Sequence, residues 1–481
     1  MTKTFIHKSD NNNVYLYDDQ RRLSMLIHPE FEKNFNNSIH IDPYYSKKKD
    51  YLSKYGFFTD SKNVDFKILE ESVVKDSIIN TKQIVFEVTD SCNLNCTYCA
   101  LGELYDGYDK RIGKKINISY SINLLKYIFD NKPKNKFSKL YISFYGGEAL
   151  LNMDFIKRIV DISKQLNSKK EIEIEYSITT NATLIHKHID FLAQNKFELL
   201  VSLDGNEENH SYRVFAKSKK NSFHKVIENI DLIQKKYPEY FKEYINFNAV
   251  LHDKSSVKDI YEFIYTRYHK IPRISELNTR NIKVEKIELL KNMFRRKWES
   301  EVEFQDGESE LSKITRSSMS LYSELTDFLK FISINYYLSH INALFLVDEE
   351  FLPTNTCTPF SKKIFLTNRN KLLPCEKINY KYSLGNVDDK KIDIDITKIT
   401  EQYNFYYNKI KKSCQSCYAY RHCGVCLFHL SNIDSINSEE FVCENFKGEK
   451  AFKNKLCRIF SYLEKYPADF SQILENVLII E

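Results

Sequence analysis

The sequence predicts an α/β fold with a parallel sheet, followed by a cysteine-rich C-terminal region. From about residue 79, short apolar runs alternate with longer segments whose apolar residues recur at helical spacing. This alternation is typical of parallel strands joined by crossover helices. Three cysteines fall within eight residues directly after the first apolar run, and the other eight of the 11 cysteines lie at or beyond residue 357. The cysteines therefore indicate two chemically distinct regions.

Six strand–helix units make up the predicted sheet region. The predicted strands cover residues 84–88, 140–145, 171–178, 199–203, 245–251 and 271–277, and the helices cover 119–129, 154–166, 184–193 and 257–268, with one more that begins at Ser222. In that helix Phe223, Val226 and Ile230 lie on one face. Six units are too few to close an eight-stranded barrel.

The first 78 residues are predicted to form a small unit of their own. Residues 14–18 and 23–27 alternate like two short strands around a polar turn, and Pro29 is placed to begin a helix. Residues 44–55 form a second predicted helix that Gly56 would end. A hairpin followed by short helices is similar to a winged-helix domain.

The three clustered cysteines, Cys92, Cys96 and Cys99, are spaced x3 and then x2. A short loop that leaves a strand can direct three thiolates onto one face of a cubane iron–sulfur cluster. Such clusters usually have four cysteine ligands, and no fourth cysteine is near, so one iron would be free to bind a small molecule. A zinc site is the alternative, and it needs a fourth ligand close by; His186 and His188 are remote in sequence.

With Tyr98 just before the third cysteine, this motif resembles that of the radical S-adenosylmethionine (radical SAM) superfamily. The resemblance implies an open, partial (β/α)6 TIM-type barrel and a 4Fe-4S cluster held by the three cysteines. It also implies that the open iron is chelated by the amine and carboxylate of S-adenosyl-L-methionine. Tyr98 would then lie against the adenine.

Polar residues follow the predicted strands at the ends where barrel enzymes bind their ligands. Gly146-Gly147 is notable in a chain with only 11 glycines, and it suggests backbone pressed against a ligand or held at positive φ, or a plain turn. By resemblance to the family, these segments hold S-adenosyl-L-methionine: Gly146, Gly147 and Glu148 (the GGE motif, for the amine), Thr180 and Asn181, Ser202 and Asp204 (the SLDG segment), and Arg213 (for the carboxylate). Ser211 replaces the aspartate of the family's HDxxR pattern.

The C-terminal cysteines resemble those of a SPASM domain, which carries auxiliary iron–sulfur clusters. Eight cysteines would supply four ligands to each of two clusters. By this resemblance one cluster is held by Cys414, Cys417, Cys423 and Cys443, and the other by Cys357, Cys375 and Cys426, with Cys457 as an uncertain fourth ligand. Two departures put the assignment in doubt: Asn370 stands where the family has glycine, and Cys423 and Cys426 are separated by two residues instead of three. Asparagine tolerates left-handed geometry, so a hairpin is still expected there.

Composition limits the classes of function. Net charge is +6 over 481 residues with the lysines widely spread, which disfavours nucleic acid as a partner. The chain has no long apolar run and no secretory signal, so we expect a cytoplasmic protein with reduced cysteines and no membrane association.

Four regions follow from these observations: a winged-helix-like domain (1–78), a radical SAM barrel (79–278), a helical connector (279–349) with helices near 285–298 and 320–335, and a SPASM domain (350–481). The resemblance favours an enzyme that crosslinks a ribosomally made peptide through a thioether or carbon–carbon bond. In such enzymes the N-terminal domain, a RiPP recognition element, binds the leader peptide as an added strand, and a flavodoxin or ferredoxin supplies electrons. The alternatives are an anaerobic sulfatase-type formylglycine maturase and a non-catalytic zinc-ribbon adaptor with a winged-helix module.

Overall fold

A computed structural model describes residues 4–35, 41–58, 66–134, 138–305, 309–336, 351–439 and 441–479. The chain divides into two compact units. The terminal unit comprises Met1–Ile68, Ser317–Thr356 and Asn404–Glu481, and the barrel unit comprises Leu69–Arg316 and Cys357–Tyr403. The four regions predicted from sequence stay predictions. Among the described helices, none combines the length and the apolar character needed to cross a bilayer.

The terminal unit begins with a three-stranded antiparallel sheet in the order β1 (Thr4–Lys8), β2 (Val14–Asp18) and β3 (Leu23–Leu26). The predicted hairpin of β2 and β3 is confirmed, whereas β1 was not predicted. Two helices follow, α1 (Pro29–Glu32) and α2 (Pro43–Lys54). The hairpin and the helices therefore form as the sequence indicates, each helix with proline in its first turn.

The barrel unit contains a ten-stranded sheet, and the six strands on one side of it, up to its edge, are the predicted parallel set. The parallel strands, in chain and spatial order, are β4 (Gln83–Thr89), β5 (Lys139–Gly146), β6 (Glu173–Thr180), β7 (Glu198–Ser202), β8 (Ile245–Leu251) and β9 (Arg273–Glu276). All six predicted strands are confirmed, and consecutive strands pair in parallel. The carboxyl ends of these strands therefore lie along one edge, where the predicted site residues fall.

Helices precede, connect and follow the parallel strands, and those between consecutive strands are crossover connections. In chain order they are α3 (Glu71–Ile79), α4 (Ile118–Asn131), α5 (Met153–Asn167), α6 (Ile189–Gln194), α7 (Phe223–Lys236), α8 (Pro238–Tyr244), α9 (Val257–Tyr268), α10 (Ile287–Met293), α11 (Lys297–Gln305) and α12 (Glu310–Thr315). The predicted helix at 285–298 was wrong as one element, because Phe294 adopts an extended conformation between α10 and α11. Residues 306–308 and 337–349 of the predicted connector lie outside the described residues.

A second group of strands extends the sheet beyond β4: β10 (Ile364–Leu366), β11 (Lys371–Leu373), β12 (Gly385–Val387) and β13 (Ile392–Asp393). β10 runs parallel to β4, and the others are antiparallel. Asn370 has φ +67° in the turn between β10 and β11. The expected hairpin is therefore confirmed, with asparagine in the left-handed conformation.

The remaining helices are α13 (Ser320–Asp327), which continues into a π-helical turn at Phe328–Ile332, then α14 (Ile396–Gln415), α15 (Glu449–Lys465) and α16 (Asp469–Ile479). In the terminal unit, one hydrophobic core joins the N-terminal sheet to α13 and α15. Phe5 and Tyr17 pack against Phe452 with ring centroids 6.1 and 5.3 Å apart. The N-terminal sheet thus shares its core with distant parts of the chain.

Candidate active site

The loop that carries Cys92, Cys96 and Cys99 leaves the end of β4 and is held by backbone hydrogen bonds. The Asn95 amide donates to the Val214 carbonyl at 2.8 Å, and the Ala216 amide donates to the Asn93 carbonyl at 2.9 Å. Further along, the Thr97 amide donates to the carbonyl of residue 212 at 3.3 Å. The cysteine loop therefore pairs with residues 212–216, on both sides of Arg213, and this pairing fixes the path of the loop.

Gly146 and Gly147 press against the start of the same loop. A Cβ on Gly147 would lie 2.1 Å from the Ser91 carbonyl oxygen, and one on Gly146 would lie 2.4 Å from that of Thr89. Gly146 also has φ +125°. The positive φ and the close approach expected from the sequence are both present, and the neighbour is the backbone of the cysteine loop.

Glu148, the last residue of this motif, is buried and connects two strand ends. Its carboxylate accepts hydrogen bonds from the Leu150 amide (3.1 Å), the Thr180 hydroxyl (2.8 Å) and the Asn181 amide (2.8 Å). Burial raises the pKa of Glu148, and these three donors oppose that shift. Asn181 in turn donates to the Asn93 side chain at 2.9 Å and faces Cys92 Sγ at 3.7 Å. The predicted residues Glu148, Thr180 and Asn181 are thus brought together beside the loop.

Asp204 and Arg213 form a buried, two-bonded ion pair. Arg213 donates from Nε to Asp204 Oδ2 at 2.8 Å and from Nη2 to Oδ1 at 2.9 Å. Asp204 also accepts from the Val250 amide at 2.9 Å and from the Tyr98 hydroxyl. Burial alone would raise the pKa of Asp204, but the adjacent guanidinium holds it below its ordinary value. Ser202, at the end of β7, pairs in register with Asn248.

The Asp204–Arg213 ion pair limits what Arg213 and the adjacent Tyr98 can contact. Two of the Arg213 nitrogens are committed to Asp204, and among the described residues Nη1 has no hydrogen-bond partner. Tyr98 is buried, with its ring 5.4 Å from the Arg213 guanidinium carbon and 5.7 Å from the His252 ring. The carboxylate-binding role of Arg213 and the adenine contact of Tyr98 stay predictions.

The three thiols of the loop are a donor set that fits a cubane cluster. The pKa of Cys92 is raised to about 11 and that of Cys96 to about 12, mainly by burial, and Cys99 contributes to both shifts in the same direction. Nevertheless, no three His, Cys, Asp or Glu side chains converge on one ion position within the described ranges. A cubane binds each cysteine through a different iron, whereas zinc draws all its ligands onto one ion. A bound cluster would convert these thiols to thiolates.

A cavity of about 500 Å³ lies along the inner face of the parallel strands. Polar side chains cross it in a row, with Gln83 Nε2 donating to Ser143 Oγ at 2.6 Å and Ser143 Oγ 2.6 Å from Ser177 Oγ. Tyr145 and Glu376 also line the cavity. Burial raises the pKa of Tyr145, and Cys99 raises it further. The lining runs from the starts of the strands, at Gln83, Glu198 and Arg273, to Tyr145, which directly precedes Gly146.

Four of the C-terminal cysteines, Cys414, Cys417, Cys423 and Cys443, belong to the terminal unit. Burial raises the pKa of Cys414, and Cys423, Cys417 and Cys443 raise it further. Cys417 and Cys443 likewise raise the pKa of Cys423. The Lys447 amide donates to Cys417 Sγ at 3.4 Å, and the Tyr418 amide donates to the Lys447 carbonyl at 3.0 Å, so the segment after Cys443 lies against the end of α14. The cluster predicted for these four cysteines stays a prediction.

The other four cysteines are divided between the two units. Cys357 and Cys375 belong to the barrel unit, and Cys426 and Cys457 to the terminal unit, so their common cluster stays a prediction. On α15, Cys457 Sγ lies 3.8 Å from Asp10 Oδ1. The groups that affect the pKa of Cys457 include no cysteine.

Comparison with known proteins agrees with this geometry. Residues 86–264 match the model of the Radical SAM superfamily. The chain carries a radical SAM domain. Domains of this family bind a 4Fe-4S cluster and S-adenosylmethionine. The matched residues include the cysteine loop, the Gly-Gly motif and the Asp204–Arg213 pair.

Two curated relatives align with part of the chain. The radical SAM cyclopropyl synthase TigE of Paramaledivibacter caminithermalis is 24% identical over 50% of this chain, and a cysteine-type anaerobic sulfatase-maturating enzyme of Clostridium novyi is 32% identical over 37% of it. The alignments span about half the length of these relatives, 47% and 46%. The solved structure of native anSMEcpe with bound AdoMet has a TM-score of 0.52 at 19% identity, covering 82% of this chain and 99% of that one. This last likeness shows the shared fold.

Arg111 was missed by sequence reasoning. Arg111 lies beyond the cysteine loop and not at the end of a predicted strand. Its Nη2 is nevertheless 3.2 Å from Cys99 Sγ. Its position depends on the return path of the chain after the cysteine loop, for which the sequence gives no periodic signal.

Proposed function

We propose that this protein is a radical SAM maturase that closes a thioether or carbon–carbon crosslink within a ribosomally made peptide. One observation supports the proposal: a three-cysteine loop clamped by backbone hydrogen bonds in the barrel unit occurs together with Cys414, Cys417, Cys423 and Cys443 in the terminal unit, where the Lys447 amide donates to Cys417 Sγ. The bound cluster and S-adenosylmethionine would supply the 5′-deoxyadenosyl radical that removes a hydrogen atom from the peptide.

The residues of the barrel have distinct tasks in this proposal. Cys92, Cys96 and Cys99 hold the cluster, and Glu148 fixes the strand ends that surround it. The Arg213 Nη1 nitrogen is the donor that remains for the methionyl carboxylate of S-adenosylmethionine, with Asp204 holding the guanidinium in place. A charge-assisted hydrogen bond of this kind is favourable and directional.

The cavity of about 500 Å³ is the proposed site for the peptide side chain that reacts. Its polar row, Gln83–Ser143–Ser177, supplies hydroxyl and amide groups that can pair with a peptide backbone. Tyr145 marks the end nearest Cys99. A cavity of this size admits a side chain.

Crosslink formation is an oxidation, because the peptide loses two hydrogen atoms. The 5′-deoxyadenosyl radical accounts for one of them, and the other leaves as a proton and an electron. Cys414, Cys417, Cys423 and Cys443 would hold the auxiliary cluster that takes up the electron. A flavodoxin or ferredoxin is the proposed electron donor.

The N-terminal sheet is the proposed leader-binding element, and only part of its outer edge is open. The Ser24 amide donates to the Ser333 hydroxyl at 2.9 Å, and the Ser24 carbonyl accepts from the Asn335 side chain at 3.0 Å. Ile27 donates to Val14 on β2, so by alternation Leu26 faces the same outer edge as Ser24. Leu26 is 62% exposed. A leader strand would therefore pair at Leu26.

Two other functions are alternatives to peptide crosslinking. The similarity to an anaerobic sulfatase-maturating enzyme favours formylglycine formation on a short motif, which needs no leader-binding sheet. The radical SAM domain argues against a non-catalytic zinc-ribbon adaptor.

A point variant tests leader recognition better than a deletion. Removing residues 1–78 would strip Phe5 and Tyr17 from the core they share with α13 and α15, so loss of activity would reflect unfolding. Leu26→Pro instead removes one outward backbone donor without touching the β2 ladder, a position where edge strands tolerate proline.

We expect Leu26→Pro to raise the KM for the full-length precursor, by roughly five- to tenfold for a lost main-chain hydrogen bond. Production of 5′-deoxyadenosine without peptide should stay unchanged. Leu289→Ala, at an exposed position of the barrel unit, is the matched control. An unchanged KM for the precursor would contradict leader binding at this edge and favour formylglycine chemistry.

A further inference from the structure

Arg111 directs a positive charge at the ligand loop of the radical SAM domain. Its Nη2 donates to Cys99 Sγ at 3.2 Å. Its Nε is buried and has no hydrogen-bond partner among the described residues. The guanidinium therefore makes one contact with a predicted cluster ligand and retains a second, unused donor.

The backbone next to Arg111 is fixed against the end of β4. The Ile112 amide donates to Asp90 Oδ2 at 3.1 Å, and the Asp90 amide donates to the Lys114 carbonyl at 3.1 Å. Two residues further, the Ile116 amide donates to the Val88 carbonyl at 3.1 Å. Arg111 is thus held close to the cysteine loop by the strand from which that loop leaves.

Among the described residues, Arg111 forms no ion pair with a carboxylate, and the Asp90 carboxylate accepts instead from the Ile112 amide. The nearby Asp109 is engaged by Arg369 and Lys371, at 3.6 and 3.2 Å. Burial alone would lower the pKa of Arg111, but Cys99 and then Cys92 and Cys96 raise it above its ordinary value. A partly buried cation requires an anion nearby, and the ligand thiolates are the anions that this geometry offers.

We propose that Arg111 is a positioning residue for the radical SAM cluster: it hydrogen-bonds the Cys99 sulfur and offsets the negative charge of the thiolates. Net charge and hydrogen bonds to the sulfurs set the reduction potential of an iron–sulfur cluster. A cation on a ligand sulfur stabilises the reduced, more negative state, so Arg111 raises the potential and makes the cluster easier to reduce. This inference rests on the cluster of the radical SAM domain and is independent of the proposed peptide substrate.

The test is a redox titration of the anaerobically reconstituted full-length protein, in which electron paramagnetic resonance reports the reduced clusters. Arg111→Met removes the charge and the donors at similar length, and Arg111→Lys keeps the charge. Arg369→Met is the matched control. Arg369 is also a cation at this segment, but it donates to the Lys110 carbonyl, at 2.7 Å, instead of to a cysteine sulfur. The signal of the auxiliary clusters is measured separately in a variant that lacks Cys92, Cys96 and Cys99. Subtracting it from the total signal leaves the signal of the first cluster.

We expect Arg111→Met to keep its iron while its first cluster is reduced only at a more negative potential. Arg111→Lys should restore most of the shift, and Arg369→Met should match the unaltered protein. An unchanged potential in Arg111→Met, or an equal shift in Arg369→Met, would overturn the proposal. Loss of the first cluster from both Arg111 variants would also overturn it, since the side chain would then be needed only for assembly of the loop. None of these outcomes depends on whether a peptide is modified.

Discussion

Replacement of Arg213 by alanine should destabilise the barrel unit strongly, because it leaves the buried Asp204 carboxylate without its partner. The side chains of Asp204 and Arg213 are 0% and 8% exposed, and both carboxylate oxygens are paired. Breaking a buried ion pair by removing one partner costs about 3–5 kcal/mol. The Val250 amide and the Tyr98 hydroxyl still donate to Asp204, so we expect a loss near 3 kcal/mol.

The assay is denaturant unfolding of the anaerobic protein, monitored by circular dichroism. Arg267→Ala is the matched control, because Arg267 pairs with Asp231 at 2.6 Å with both side chains more than 40% exposed. Exposed ion pairs contribute about 0–1 kcal/mol. Combining Arg213→Met with Asp204→Asn should recover much of the stability, since no charge is left buried alone.

Equal free energies of unfolding for Arg213→Ala and Arg267→Ala would refute this reasoning. Arg213 would then be free of a structural task, and weaker S-adenosylmethionine binding in the variant could be read directly as a lost ligand contact. If the structural task is real, cofactor binding must be measured instead in Arg213→Lys, which keeps the charge.

Two further changes test other parts of the site. Gly147→Ala should displace the cysteine loop, because its Cβ would lie 2.1 Å from the Ser91 carbonyl oxygen. We expect a loss of about 1–3 kcal/mol in the free energy of unfolding and loss of iron from one cluster. Gly448→Ala is the control and should show neither effect, because its Cβ meets only an ordinary contact at 3.5 Å. Glu87→Gln should flatten the pH dependence of stability: burial raises the pKa of Glu87 from 4.5 to about 7, so the native state loses about 3 kcal/mol as pH rises through that interval. About 2 kcal/mol of this loss falls between pH 5.5 and 8, and parallel unfolding curves for the two proteins across that range would contradict it.

The parallel sheet could be predicted because each of its strands is an apolar run followed by a helix of regular period. The polar residues at the strand ends could be predicted for the same reason, since parallel strands present their carboxyl ends along one edge. Short elements could not be predicted: β1 is half polar, and β10–β13 have two or three residues each. Their stability comes from neighbours that are distant in sequence.

The sequence predicts which residues lie in the site, but it does not predict which partner each side chain contacts. The Gly-Gly motif was expected to approach a ligand, and its close neighbour is the backbone at Thr89 and Ser91. Arg213 was expected to bind a carboxylate, and the carboxylate it binds within the protein is that of Asp204. Sequence spacing indicates which groups meet at the sheet edge, whereas the choice of partner depends on packing in three dimensions.

The central claim is that Cys92, Cys96 and Cys99 hold the cluster that cleaves S-adenosylmethionine. The direct measurement is 5′-deoxyadenosine formed by the reduced, anaerobic protein, alongside its iron content. The unaltered protein should contain about twelve irons, in three four-iron clusters, and form 5′-deoxyadenosine. Replacing the three cysteines by alanine should remove about four irons and abolish the product. Continued formation of 5′-deoxyadenosine by that variant would contradict the account.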